Sequence, residues 1–147
     1  MKKFIIALMI SLMCLLVTGC VNSGGSGVKE MFLYVNENKL TVSLSDNKAV
    51  DALVKLLRKG DITYYADDYG GFEKVGRLGH TLPSHDTQIR TEPGDAMLYN
   101  SNQIVLFYGS NSWAYTRIGK IEGYSTDELK DLLGAGSGRI EVRLSLK

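Results

Sequence analysis

The sequence predicts a mainly β fold, a closed or nearly closed β-barrel with two short α-helices. Three observations carry this. Short apolar segments alternate with a period of two, most clearly Leu40-Thr-Val-Ser-Leu44 and Ile140-Glu-Val-Arg-Leu144. Between such segments lie clusters of Asn, Gly and Ser that favour turns. Only two stretches follow helical spacing, and each carries its own start signal. Many short strands leave exposed edges unless the sheet closes on itself, and two helices then cover its openings.

The first twenty residues stand apart from that domain. Lys2 and Lys3 precede an apolar run from Phe4 to Val17, too short for a permanent membrane span, and Val17-Thr-Gly-Cys20 follows. Small residues leading into one cysteine form the pattern of bacterial lipoprotein processing, in which the thiol is acylated. Residues 1–19 read as a lipoprotein signal peptide, with Cys20 as the lipidation site, carrying palmitate-type chains. Removing 19 of the 147 residues leaves 128, one domain of ordinary size. The leader removes two of the 17 basic residues and none of the 16 acidic ones, so the mature net charge is −1. That balance argues against nucleic acid as a partner. Cys14 lies in the leader, so a lipidated Cys20 leaves no thiol for a disulfide. The expected place is the cell envelope, on the extracytoplasmic side of a bacterial membrane, with the membrane itself a partner through the lipid. Residues 20–29, rich in Gly and Ser, read as a flexible lipidated tether with a reach of roughly 15 Å, and residues 30–147 as the domain.

Within the domain, Met31–Val35 and Leu40–Leu44 flank Asn36-Glu-Asn38 and read as a hairpin. Asp46 or Ser45 is placed to cap a helix whose Val50, Leu53, Val54 and Leu57 share one face, with Gly60 closing it. Ile62–Tyr65 reads as a strand. Residues 66–95 hold both prolines and both histidines among many glycines, and read as a long, partly structured excursion. Ala96–Tyr99 and Ile104–Tyr108 form a second hairpin; a strand covers Ala114–Ile118, with Lys120-Ile121 close by. Ser125-Thr-Asp-Glu128 is a capping box opening a short helix that ends at Gly134. Arg139–Leu146 is the last strand.

Several residue groups suggest chemistry and do not carry it. Ser84-His-Asp86 has the residue types of a hydrolase triad, but three consecutive side chains rarely converge. His80, His85 and Asp86 lack a recognised ligand spacing, Asp67-Asp68 reads as a charged turn, and Gly134–Gly138 follows a helix instead of opening one. No metal and no cofactor is expected. The aromatic residues Tyr99, Phe107, Tyr108, Trp113 and Tyr115 are concentrated between positions 99 and 117. Alternate strand positions account for most of these by packing. Trp113, in the turn-like Gly109–Ala114, is the better candidate for a ligand platform.

Tyr69-Gly-Gly-Phe-Glu73, Leu82-Pro83, Pro93-Gly-Asp-Ala-Met-Leu-Tyr99, Ile104-Val-Leu-Phe-Tyr108 and Tyr115-Thr-Arg-Ile-Gly-Lys-Ile121 together resemble the bacterial cyclophilin-like domain family. The resemblance covers residues 30–146 and implies a cyclophilin-like barrel. True cyclophilins isomerise X-Pro bonds with an arginine beside an apolar proline pocket. When Gly94-Asp95 is set on the end of their motif, Leu82-Pro83-Ser84 stands where Phe-His-Arg is expected. Ile89-Arg90 stands for the Phe-Met pair and Glu92 for the glutamine. The catalytic arginine is absent from its place, and Arg77, Arg90 or Arg117 would have to supply a guanidinium from elsewhere. The sequence therefore favours a lipid-anchored module that binds a peptide, an exported protein or a small ligand, with peptidyl-prolyl isomerase as the alternative. Phe72, Gln88, Tyr108, Trp113 and Arg117 are the candidates for its cleft.

Overall fold

Strands β1 (Glu30–Val35) and β2 (Asn38–Leu44) form an antiparallel hairpin from Glu30↔Ser43 to Val35↔Asn38, as their alternation predicts. These coordinates are a computed structural model that describes residues 25–147. The leader, Cys20 and residues 21–24 lie outside the described residues. Of the segment read as a tether, Ser26 donates its N–H to Asp51 at 2.6 Å, and its carbonyl accepts from Arg58.

Helix α1 (Lys48–Leu57) buries Ala49, Val50, Leu53, Val54 and Leu57 along one face. Its N-cap is Asn47, not the expected Asp46 or Ser45. The Asn47 side-chain oxygen accepts from the Val50 N–H at 3.0 Å, while its Nδ2 donates to the Arg117 carbonyl at 2.7 Å. The amide accepts through its oxygen and donates through its nitrogen, so Asn47 caps the helix and ties it to the barrel wall.

The expected excursion over 66–95 is largely strand. Strand β3 runs from Ile62 to Tyr69, turns at Gly70-Gly71 and returns as β4 (Glu73–Arg77). Both turn glycines have positive φ, 61° and 74°, a conformation few other residues adopt at low cost. A further strand, β5 (Thr87–Arg90), pairs only with the start of β8. Next come β6 (Asp95–Tyr99) and β7 (Gln103–Phe107), then β8 (Ser112–Ile121), which is one continuous strand where two pieces were expected. Helix α2 (Thr126–Leu132) carries the predicted Ser125–Glu128 capping box, and β9 (Ile140–Ser145) ends the fold.

Among the described residues, eight strands close into an antiparallel barrel in the order β2-β1-β9-β3-β4-β7-β6-β8, and β8 returns to β2. That closing seam pairs Val42 with Ile121 and Leu44 with Gly119. A Cβ at Gly119 would stand 2.2 Å from the Ser43 carbonyl oxygen, so only glycine lets these backbones approach. The architecture is thus the mainly β, closed barrel with two helices that the sequence predicts.

Strand alternation sorts the side chains into two clusters. Ala96 and Leu98 of β6, Ile104 and Leu106 of β7 and Ile118 of β8 point inward, joining Leu33, Val42, Val142 and Leu144. The buried faces of both helices belong to the same cluster. The described residues contain no cysteine, and this apolar interior stabilises the fold, each fully buried Leu or Ile contributing roughly 1.5–3 kcal/mol. Met97, Val105, Phe107 and Tyr115 face the other way, with Phe72, Val75, Ile89 and Tyr99 packed around them. This second cluster floors a groove on the outside of the barrel wall.

Candidate functional site

The groove exists because β8 is longer than its partner. Strand β6 pairs with β8 from Asp95↔Lys120 to Leu98↔Thr116, after a bulge at Ala96/Met97. Beyond Thr116 the first residues of β8 part from β6 and pair with β5 instead, Thr87↔Tyr115 and Ile89↔Trp113. Thr116 marks the parting: its hydroxyl accepts from the His85 N–H and donates to Asp86.

Between this arm and the outer face of β4, β7 and β6 lies a cavity of about 320 Å³. It is lined by Tyr69, Glu73, Val75, Tyr99, Gln103, Asn111, Trp113 and Tyr115. Tyr99 and Tyr115 meet edge to face at 6.0 Å, and Tyr115 meets Phe107 in the same manner at 5.6 Å. Tyr115 is fixed further by Asn111, whose Nδ2 donates to its hydroxyl at 3.0 Å. Trp113 is 57 % exposed and stands at the mouth.

Glu73 is the unusual member. It is only 6 % exposed, its Oε2 is buried, and no hydrogen bond reaches that oxygen. Burial pushes its carboxyl up to about 7, so near neutrality it holds a proton part of the time. Its neighbour Lys74 points to the opposite face of β4, where it is fully buried and pairs with Asp68 at 2.9 Å. Asp68 also accepts from Tyr108, Gly136 and Gly138. Burial by itself raises the Asp68 carboxyl, but these donors, led by Lys74, outweigh it and hold it at about 2. The more deeply buried of the two carboxyls, Glu73, is thus the one without a cation.

Of the five residues the sequence proposed, Trp113 lines this cavity. Phe72 lies beneath the groove, stacked with Phe107 at 6.5 Å. Gln88 is exposed on β5. Tyr108 is buried at the end of the barrel, its hydroxyl donating to Asp68 at 2.9 Å. Arg117 donates to Asp95 at 2.9 Å. Tyr69, Glu73, Val75, Gln103 and Asn111 were not singled out as site residues, and Tyr99 and Tyr115 were read among the aromatics that pack the strands. The missed signal was the Gly70-Gly71 turn: read as a hairpin, it places Glu73 opposite Phe107 on the groove side. Neither histidine lines this cavity, and the described residues hold no group of three or more His, Cys, Asp or Glu arranged for a metal. No described helix is long and apolar enough to cross a membrane.

The motifs behind the family resemblance turn out to meet in space. Gly94 adopts φ 93°, its N–H donating to Phe107 and its carbonyl accepting from Ile121. Asp95 then accepts from the Glu92 N–H and from Arg117, with Lys120 at 3.7 Å. The Gly-Asp segment and the Thr-Arg-Ile-Gly-Lys-Ile segment thus form one polar cluster on adjacent strands.

Comparison with curated proteins gives no match. Among solved structures, the chain is similar to one described as the structure of McbB in complex with tryptophan, at 16 % identity and a TM-score of 0.58. The match covers 80 % of this chain and 44 % of that one, so the chain spans less than half of that protein's length; the likeness is one of fold. The model of the family described as "Cyclophilin-like family" matches residues 33–145, which is nearly the whole barrel. The chain belongs to the cyclophilin-like family.

Proposed function

We propose that this protein is a lipid-anchored, extracytoplasmic binding module whose outer groove receives a small ligand or a single side chain of an exported peptide. The observation that carries the reading is the cavity between β4 and the β8 arm, walled by Tyr69, Tyr99, Trp113 and Tyr115 around an unpartnered Glu73. Apolar walls with a few convergent polar groups are the usual composition of a small-ligand site. Its volume of about 320 Å³ suits one side chain or a molecule of similar size, not a folded partner. The anchor rests on the Val17-Thr-Gly-Cys20 pattern, and two or more acyl chains on Cys20 give stable attachment.

The isomerase alternative finds a carboxyl in this cavity where it needs a guanidinium. No arginine lines it; Arg117 is engaged by Asp95, and Arg77 borders a neighbouring depression beside Asp67 and Arg139.

Two measurements test the proposal. Full-length chain expressed in bacteria should incorporate labelled palmitate and partition into detergent, and Cys20→Ala should abolish both. A panel of small molecules screened by Trp113 fluorescence should yield binders that Tyr99→Ala or Tyr115→Ala weakens. Binders indifferent to both tyrosine substitutions would overturn the assignment of the groove.

A further inference from the structure

Two buried polar atoms among the described residues lack partners: the Tyr64 hydroxyl and the Glu73 Oε2. Tyr64 lies in the packed interior cluster. Glu73 lines an open cavity, and its surroundings restrict what can satisfy it.

A carboxylate withdrawn from water is costly unless a cation or several donors meet it. The protein provides neither. Its sequence neighbour Lys74 is committed to Asp68 across the strand. Arg77 lies four residues along the same face, about 13 Å away at strand spacing, and faces the neighbouring depression. The other titratable groups that share the cavity are the phenols of Tyr69, Tyr99 and Tyr115. Tyr108, on the far side of the wall, donates to Asp68. Asn111 is occupied, with its Nδ2 on Tyr115 and its Oδ1 accepting from Ser112. An entering group therefore meets one carboxyl, aromatic rings and no positive charge. Anions are repelled, neutral apolar groups leave Glu73 unsatisfied, and a cation satisfies it while lying against electron-rich ring faces.

We infer that the groove is selective for a ligand bearing a protonated amine, which docks its ammonium on Glu73 among Tyr69, Tyr99, Trp113 and Tyr115. The inference rests on the groove being a binding site and specifies its chemistry. Such a group comes either as a free small amine or as the lysine side chain of a peptide. Binding should also move a proton. Below about pH 7 the empty site holds Glu73 protonated part of the time, and an arriving ammonium releases that proton to solvent.

The test uses size-matched probes titrated against the full chain, followed by Trp113 fluorescence and by calorimetry in two buffers of different ionisation enthalpy. Benzylamine is compared with benzyl alcohol and benzoate, and an end-capped Gly-Lys-Gly peptide with its norleucine analogue. At about pH 8 benzylamine or the lysine peptide should bind at least about tenfold more tightly than its neutral counterpart, as expected for a charge-assisted contact. The tighter of the two names the source. Near pH 6 binding should release up to about one proton, falling toward none at pH 8. Glu73→Gln should abolish both the preference for the amine over the alcohol and the proton release. The proton count on the unsubstituted protein keeps the test valid if that variant folds poorly. Equal binding of amine, alcohol and benzoate would overturn the amine assignment and leave the groove a binding site. Absence of any binding would overturn both.

Discussion

Asp95 and Arg117 face each other across β6 and β8 with 2.9 Å between carboxylate and guanidinium. The pair joins the two most distinctive motifs of the chain, and it accounts for an arginine that the sequence left available for catalysis. Asp95 is the buried partner, 3 % exposed at its side chain, whereas Arg117 is 40 % exposed. Asp95 also accepts from the Glu92 N–H and has Lys120 at 3.7 Å, so it is the hub of the cluster.

Asp95→Ala should therefore cost more than Arg117→Ala. Removing the hub strands the Glu92 N–H and two cations, a loss of about 2–3 kcal/mol, while Arg117→Ala leaves Lys120 beside Asp95 and costs about 1 kcal/mol. Urea unfolding of both variants measures the order. A larger loss for Arg117→Ala would refute the assignment.

Lys74 and Asp68 give a second asymmetric pair. Asp68→Asn leaves a fully buried ammonium without its carboxylate and should destabilise by about 3–5 kcal/mol. Lys74→Met leaves a carboxylate that is 21 % exposed and keeps three other donors, so its cost is smaller, about 1–2 kcal/mol. The Asp68 carboxyl sits at about 2 in the fold against 3.8 ordinarily, so its contribution is present above pH 3.8. It is lost as pH falls toward 2. Acid unfolding midpoints of the two variants and the parent check both statements.

Glu73 has the opposite sign. Burial raises its carboxyl from 4.5 to about 7, so between those values the folded chain binds more protons than the unfolded one. Stability then falls as pH rises through that window, by up to about 3 kcal/mol, and levels off above it. Glu73→Gln keeps the shape and removes the titration. The difference in urea midpoint between parent and variant should grow in the variant's favour from pH 5 to pH 8, and a constant difference would show that Glu73 titrates normally.

Trp113 is the only tryptophan and is 57 % exposed, so its emission in the empty protein should be that of a largely hydrated indole, readily quenched by acrylamide. Ligand in the groove should shift the emission to shorter wavelength and protect it. Blue-shifted, unquenchable emission without ligand would contradict the open mouth.

Much of the barrel was legible in the chain because alternation survives wherever one face of a strand is buried and the other is not. Leu40-Thr-Val-Ser-Leu44 and Ile140-Glu-Val-Arg-Leu144 show it, as does the Ser125 capping box, which is satisfied within four residues. Strand β4 hid because its inward residues are Lys74 and Gly76, neither of which reads as core. Lys74 is buried through Asp68, which belongs to another strand. Gly76 is small because the Tyr65 carbonyl lies 2.1 Å from where its Cβ would be.

The sequence by itself determined the closed β architecture, the two helices and the family resemblance, since these rest on local periodicity and contiguous motifs. It also singled out Trp113 as an indole left exposed, although the residue lies on β8 paired with Ile89 and not in the turn its neighbours suggested. The tertiary structure alone decided which aromatic residues share a cavity, which arginine is already paired and which carboxyl is not. Tyr69 and Glu73 share one hairpin, but Tyr99 and Tyr115 come from two other places in the chain and join them only once the barrel closes and the start of β8 leaves β6 for β5. Desolvation and pairing depend on those neighbours across strands, so Glu73 reads as an ordinary surface glutamate until the wall around it has formed.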